Sequence, residues 1–162
     1  MILLRYLYVV ALVLWVGGLI VAGAVVAPSV FGVLQAWNAP QGRVLAGQVF
    51  GDVLMRLTWL SYVMGGVMFV TLTLHRLLGA RPLQYGIRVG IMGVMLVMML
   101  VIGFYLIPEV NTIQAQVAGP MAALPDTDPR RLEFNRLHGL SNILFSITAI
   151  GGLALCWWEA RE

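Results

Sequence analysis

Lysine is absent from this chain, cysteine occurs once, histidine twice, and only seven of the 162 residues are acidic. A single cysteine, Cys156, excludes an intrachain disulfide, a CxxC redox or zinc element and a CxxCH haem attachment. It reads as a packed core residue. The ten arginines supply all the side-chain positive charge. They are scattered, so no basic patch marks a nucleic-acid partner. Charged residues make up 10% of the chain against 60% hydrophobic, with a mean hydropathy of +0.91, which excludes an ordinary soluble domain.

What is present is hydrophobic length. Runs nearly free of charge occupy residues 6 to 42, 57 to 74, 89 to 108 and 137 to 158. A helix needs about 20 apolar residues to cross ~30 Å of hydrocarbon, so these runs predict four spans. The expected fold is an all-α integral membrane bundle of four antiparallel transmembrane helices, one domain over residues 1 to 162, with spans near 6–34, 46–78, 84–108 and 130–158. Arg5 followed by an apolar stretch and Ala22-Gly23-Ala24 imitates a secretory signal. The run continues well past that mock cleavage site, so it is read as the first span.

Arg5, and Arg76, Arg81 and Arg88 in the connection between spans two and three, place both termini and that connection on the cytoplasmic side of a bacterial inner membrane. The opposite side carries five arginines balanced by Asp52, Glu109, Asp126, Asp128 and Glu133. Asn38-Ala39-Pro40 is a turn signal, and the prolines at 108, 120, 125 and 129 preclude one continuous helix through the third connection. Asp128-Pro129 has the form of an N-cap and first helical residue, so the fourth helix is expected to start there.

Gly86, Gly90 and Gly93 fall on one face of the third span, and Gly17 and Gly18 on the first, as small residues do where membrane helices approach closely. This predicts a packed glycine face, with Met92, Met95 and Met99 turned away from it toward lipid or another subunit. Met64 and Met68 lie at a similar depth on the second span, and thioethers at such spacing are candidate Cu(I) ligands. Ordinary apolar surface is the preferred reading of all five. Tyr6, Tyr8, Trp37, Trp59, Trp157 and Trp158 lie near span ends and read as an interfacial aromatic belt.

The phrase Phe134-x-Arg136-x-His138-Gly139-Leu140-Ser141 resembles the last-helix motif of the transmembrane protein 205 family and its bacterial relatives. Trp15-Val16-Gly17-Gly18 followed by Pro28 and Phe31 is similar to the opening of that family, and Ala46-Gly47 with Phe50 to its second helix. The first-span pattern also resembles copper-resistance-D-type membrane domains. The resemblance implies a small four-span membrane protein and says little about chemistry.

At ~100° per residue, Asn135, His138, Asn142 and Ser146 share one narrow face of the fourth helix, extended by Arg131. By residue count, His138 lies at the depth of Asp52 and Arg56 on helix two and of Tyr105 and Glu109 on helix three. These nine residues form the candidate polar cluster, read either as an interhelical lock or as a proton-handling or ligand site. No catalytic residue and no cofactor is expected. Bis-histidine haem is argued against because His75 ends the second helix and His138 opens the fourth, about a bilayer apart. The leading expectation is a non-enzymatic accessory or interaction subunit, in the lipid bilayer with other membrane subunits or copies of itself. The alternative is a small-solute or metal-ion carrier or sensor, copper included, that uses the cluster around His138.

Overall fold

The computed structural model describes residues 2–79, 84–117 and 119–161; the expectation that Arg81 marks a cytoplasmic connection lies outside them. Among the described residues six α-helices follow one another: α1 Ile2–Val21, α2 Ala27–Trp37, α3 Ala39–Leu78, α4 Tyr85–Val101, α5 Ile107–Ala115 and α6 Pro129–Glu159. There is no strand among the described residues. Two π-helical turns, Ala22–Val26 and Ile102–Leu106, fuse α1 to α2 and α4 to α5. The result is four continuous rods long and apolar enough to cross a membrane: Ile2–Trp37, Gln41–Leu78, Tyr85–Ala115 and Pro129–Glu159.

The π-turns explain why Pro28 and Pro108 do not break their rods. A proline inside a helix removes an N–H and presses on the carbonyl four residues back. In both rods the widened turn ends immediately before the alanine or isoleucine that precedes proline, as Ala22-Gly23-Ala24-Val25-Val26-Ala27-Pro28 and Ile102-Gly103-Phe104-Tyr105-Leu106-Ile107-Pro108. The sequence reading ended the third span at residue 108; the π-turn carries the helix on to Ala115. Just before the π-turn that follows α4, Tyr62 donates its phenolic O–H to the Met99 carbonyl at 3.0 Å. Gly103 sits beneath that phenol, and a methyl group there would collide with the Tyr62 oxygen and come within 2.7 Å of Thr58 Cγ2.

Caps set the other boundaries. Asn38 closes α2 and opens α3, its side-chain oxygen accepting from the Gln41 N–H at 3.3 Å, so α3 begins at Ala39 rather than near residue 46. Gly42 then lets α3 turn back against α2, since a side chain there would strike the Leu34 carbonyl. Asp128 caps α6 as expected, accepting from the Arg130 N–H at 2.9 Å. The Arg130 guanidinium, 2.8 Å from Asp128 Oδ2, holds that carboxyl well below its ordinary range, at about 2.

The rods form a closed ring in which α1 packs on α3 and α6, and α4 on α3 and α6. Each contributes a heptad-like row. On α1 it is Tyr8, Ala11, Leu12, Trp15, Val16 and Leu19; on the α4 rod it is Arg88, Met92, Met95, Met99, Ile102 and Leu106. The α3 row includes Thr58, Ser61, Met68 and Leu72, and the α6 row Thr148, Gly152, Leu155 and Glu159. The buried hydroxyls bond back to their own helix, as Thr58 to the Leu54 carbonyl and Thr148 to that of Leu144, both at 2.8 Å.

This register reverses the expected rotation of the third span. Met92, Met95 and Met99 are buried, together with Met68, while a Cβ placed on Gly86, Gly90 or Gly93 meets nothing within 4 Å. Met64 is partly buried against the same core. Gly17 is likewise open, and only Gly18 of the five expected packing glycines approaches a neighbour, 3.0 Å from Leu57 Cδ2. The tight crossings use other glycines, with Gly65 against Leu96 and Trp15 and Gly152 against Val16. The physical reason is Arg88. It shares the methionine face, and inside the bundle its charge meets the Glu159 carboxylate.

Candidate functional site: a cleft at the loop end and an ion cluster at the terminal end

The start of α1 and the close of α6 lie at one end of the bundle, where Arg5 meets Glu159. There Glu159 holds two guanidiniums, Arg5 Nε at 2.6 Å on Oε1 and Arg88 Nη2 at 2.5 Å on Oε2. Arg5 also donates to the Glu159 carbonyl at 3.1 Å. The Arg88 side chain is 1% exposed and its guanidinium lies 4.8 Å from the Tyr8 ring centroid. Tyr8 is therefore buried beneath a cation and is no member of the aromatic belt, whereas Tyr6, Trp37, Trp59 and Trp157 are exposed as expected. A void of about 10 Å³ beside the cluster is bordered by Thr71 and His75. The arrangement clasps α1, α4 and α6, and its chemistry is that of a lock: Glu159 is the carboxylate that Arg5 and the buried Arg88 share, so its removal would loosen all three helices at once. The sequence reading counted Arg88 only as a topology marker. Its position four residues before Met92, and that of Glu159 four after Leu155, were the available signals.

The other end carries a cleft of about 320 Å³. Its walls come from α2 (Phe31), α3 (Arg43, Gly47, Phe50, Gly51, Leu54), the α4–α5 rod (Leu106, Val110, Asn111, Gln114) and α6 (Arg131, Asn135, His138, Ser141, Phe145). The short helical turn at Met121–Ala123 borders its mouth. Arg131 anchors that connection, donating to the Leu124 carbonyl at 2.6 Å and pairing with Asp126 at 2.7 Å. Phe31 and Phe50 meet edge to face at 6.3 Å across the α2–α3 wall.

The cleft gathers three of the nine expected cluster residues, Arg131, Asn135 and His138, and leaves six out. Asp52 and Arg56 pair with each other at 2.8 Å on an exposed face of α3, with side chains 63% and 78% exposed. Tyr105 and Glu109 are exposed and do not border the cleft. Their chain neighbours Gly51, Leu54, Leu106 and Val110 border the cleft, but these four side chains do not. Arg43, Asn111 and Gln114 hold the facing positions instead. Asn142 and Ser146 drift out of the cleft as the stripe winds around α6; the Ser146 hydroxyl bonds to the Asn142 carbonyl at 2.8 Å. The His138 side chain makes no hydrogen bond to either side chain among the described residues. Its imidazole stacks on Phe134 with centroids 5.9 Å apart and planes 4° from parallel.

His75 borders the terminal-end void and His138 the opposite cleft, so the two imidazoles lie at opposite ends of the bundle. Among the described residues, no group of three His, Cys, Asp or Glu side chains is placed to hold a metal ion. Cys156 is half-buried against the core.

A family model described as a domain of unknown function (DUF4149) matches residues 10–118. No curated protein and no solved structure matches the chain. The match takes in the first rod from residue 10 and all of the second and third, including both π-turns and the α2, α3 and α5 walls of the cleft, while α6 lies beyond it.

Proposed function

The chain belongs to the DUF4149 family, and from its geometry we propose that it is a ligand-binding membrane protein, a carrier or sensor that takes a small molecule into the loop-end cleft. The observation that supports this reading is the cleft itself. Four rods converge on a space of ligand-pocket size with an aromatic and aliphatic lining and a few convergent polar groups, His138 among them. The Phe134-to-Ser141 phrase that resembles the transmembrane protein 205 family supplies part of the α6 wall. Arg5 and Arg76 at the terminal end favour cytoplasmic termini in a bacterial inner membrane, with the cleft on the outer face. A metal cargo suits this lining less well, since it offers one imidazole and no carboxylate or thiolate.

Gly47 provides the test. It borders the cleft and a Cβ there meets nothing within 4 Å, so Gly47→Trp fills the space without a backbone clash. Native mass spectrometry from mild detergent should show a discrete bound mass on the wild-type protein that Gly47→Trp loses. No such mass, or one that survives the substitution, would refute the reading.

A second reading, an interaction subunit that associates with another copy of itself, is favoured by an apolar groove between α4 and α6 that Gly90 and Gly151 line. Backbones can approach closely over such a face. Disulfide capture through Gly90→Cys in a Cys156→Ser background should then trap a dimer in membranes; a monomer alone would discard it.

A further inference from the structure

Three elements of the cleft wall show the same gradient along the bundle axis. On α3 it runs from Arg43 to Leu54, on the α4–α5 rod from Gln114 back to Leu106, and on α6 from Arg131 to Phe145. At ~1.5 Å per residue these stretches cover about 12 to 21 Å. In each the polar residue lies toward the loop end and the apolar one toward the membrane interior. Among the described residues the lining contains two guanidiniums and no Asp or Glu. Arg131 shares its charge with the exposed Asp126, but Arg43 has no carboxylate partner among the described residues.

Resting on the proposal that the cleft binds a ligand, we infer that the ligand is a single-chain anionic amphiphile, its carboxylate or phosphate held by Arg43 and Arg131 and its alkyl chain lying along Phe50, Leu106 and Phe145. A guanidinium presents a fork of N–H donors that matches either oxyanion, and its charge suits no cation. The apolar wall excludes a freely hydrated anion as the best occupant, because such an anion leaves that surface unused. A volume of about 320 Å³ stands at the small end of ligand pockets, which suits one chain. Asn111, Gln114 and Asn135 at the same level supply further amide donors to the head group.

The inference is tested on the full chain in nanodiscs of zwitterionic lipid, with binding to empty nanodiscs subtracted. The probes are decanoate, decyl phosphate, decanol, decyltrimethylammonium and inorganic phosphate. Decanoate or decyl phosphate should bind at least tenfold more tightly than decanol, and the ammonium and inorganic phosphate weakest. Arg43→Gln should erase the anion's advantage and leave decanol unchanged; Gly47→Trp should abolish binding of both. Tightest binding by inorganic phosphate would make the cleft a free-anion site and overturn the amphiphile. Equal binding of decanol and the anions, sensitive to Gly47→Trp, would overturn the charge assignment while leaving the ligand-binding reading standing. Binding of none of the probes would overturn the inference, and the mass-spectrometric experiment would then judge the broader reading alone.

Discussion

Gly103→Ala should destabilise the bundle although it replaces a helix-disfavouring residue by the best helix former. The gain from propensity is about 1 kcal/mol. Against it, the new methyl meets the Tyr62 oxygen and lies 2.7 Å from Thr58 Cγ2, two side chains on the facing α3. Forcing a methyl group into a packed crossing costs about 1–3 kcal/mol. Displacing Tyr62 also breaks its 3.0 Å bond to the Met99 carbonyl, worth about 1 kcal/mol. The net expectation is a loss of about 1–3 kcal/mol, or a fall in melting temperature of roughly 2–12 °C for a chain of this size. Gly90→Ala is the control. Its methyl meets nothing, so the melting temperature should hold or rise. Tyr62→Phe removes the atom that Gly103→Ala strikes, so the double variant should lose at least ~1 kcal/mol less than the two single losses added. Melts monitored by intrinsic fluorescence in a fixed detergent would give all four values. Equal effects at Gly90 and Gly103, or additivity within about 0.5 kcal/mol, would refute the close α3–α4 approach.

Met95→Ala should cost about 2–5 kcal/mol as a cavity in the core, while Gly93→Ala on the open face should be near neutral, a comparison the same melts provide. Glu159→Gln takes away the carboxylate that the buried Arg88 and Arg5 share and should lower stability by about 3 kcal/mol or more; Arg88→Met combined with Glu159→Leu should restore much of the loss, because both charges of the buried contact leave together. The Asp128 carboxyl is depressed from 3.8 to about 2, so the stability it contributes to the start of α6 is fully present above pH ~4 and lost as pH falls through about 2. Hydrogen exchange at Arg130 and Arg131 should accelerate over that window in the wild-type protein and be fast throughout in Asp128→Ala; a wild-type protein with no such acid step would contradict the cap.

The composition and the spacing of charge-free runs were sufficient for four antiparallel rods, because hydrocarbon leaves a chain of this length few other ways to satisfy its backbone. Capping chemistry was equally local: Asp128 opens α6 through contacts within two residues of itself. Rotation about each rod was not local. In a soluble helix the apolar stripe marks the inward face, but these spans are apolar all round, so the stripe is faint and the decision falls to the few groups that need a partner. Arg88 turned the methionines inward and the glycines out, since its carboxylate sits 71 residues away on α6. The cleft shows the same division. The α6 stripe was legible as Arg131, Asn135 and His138, whereas the facing Arg43, Asn111 and Gln114 became visible only once the π-turn before Pro108 had set the azimuth of α5 and the Gly42 corner that of α3. Depth along a helix is a count of residues and survives in the sequence; azimuth between helices is a property of the assembled contacts.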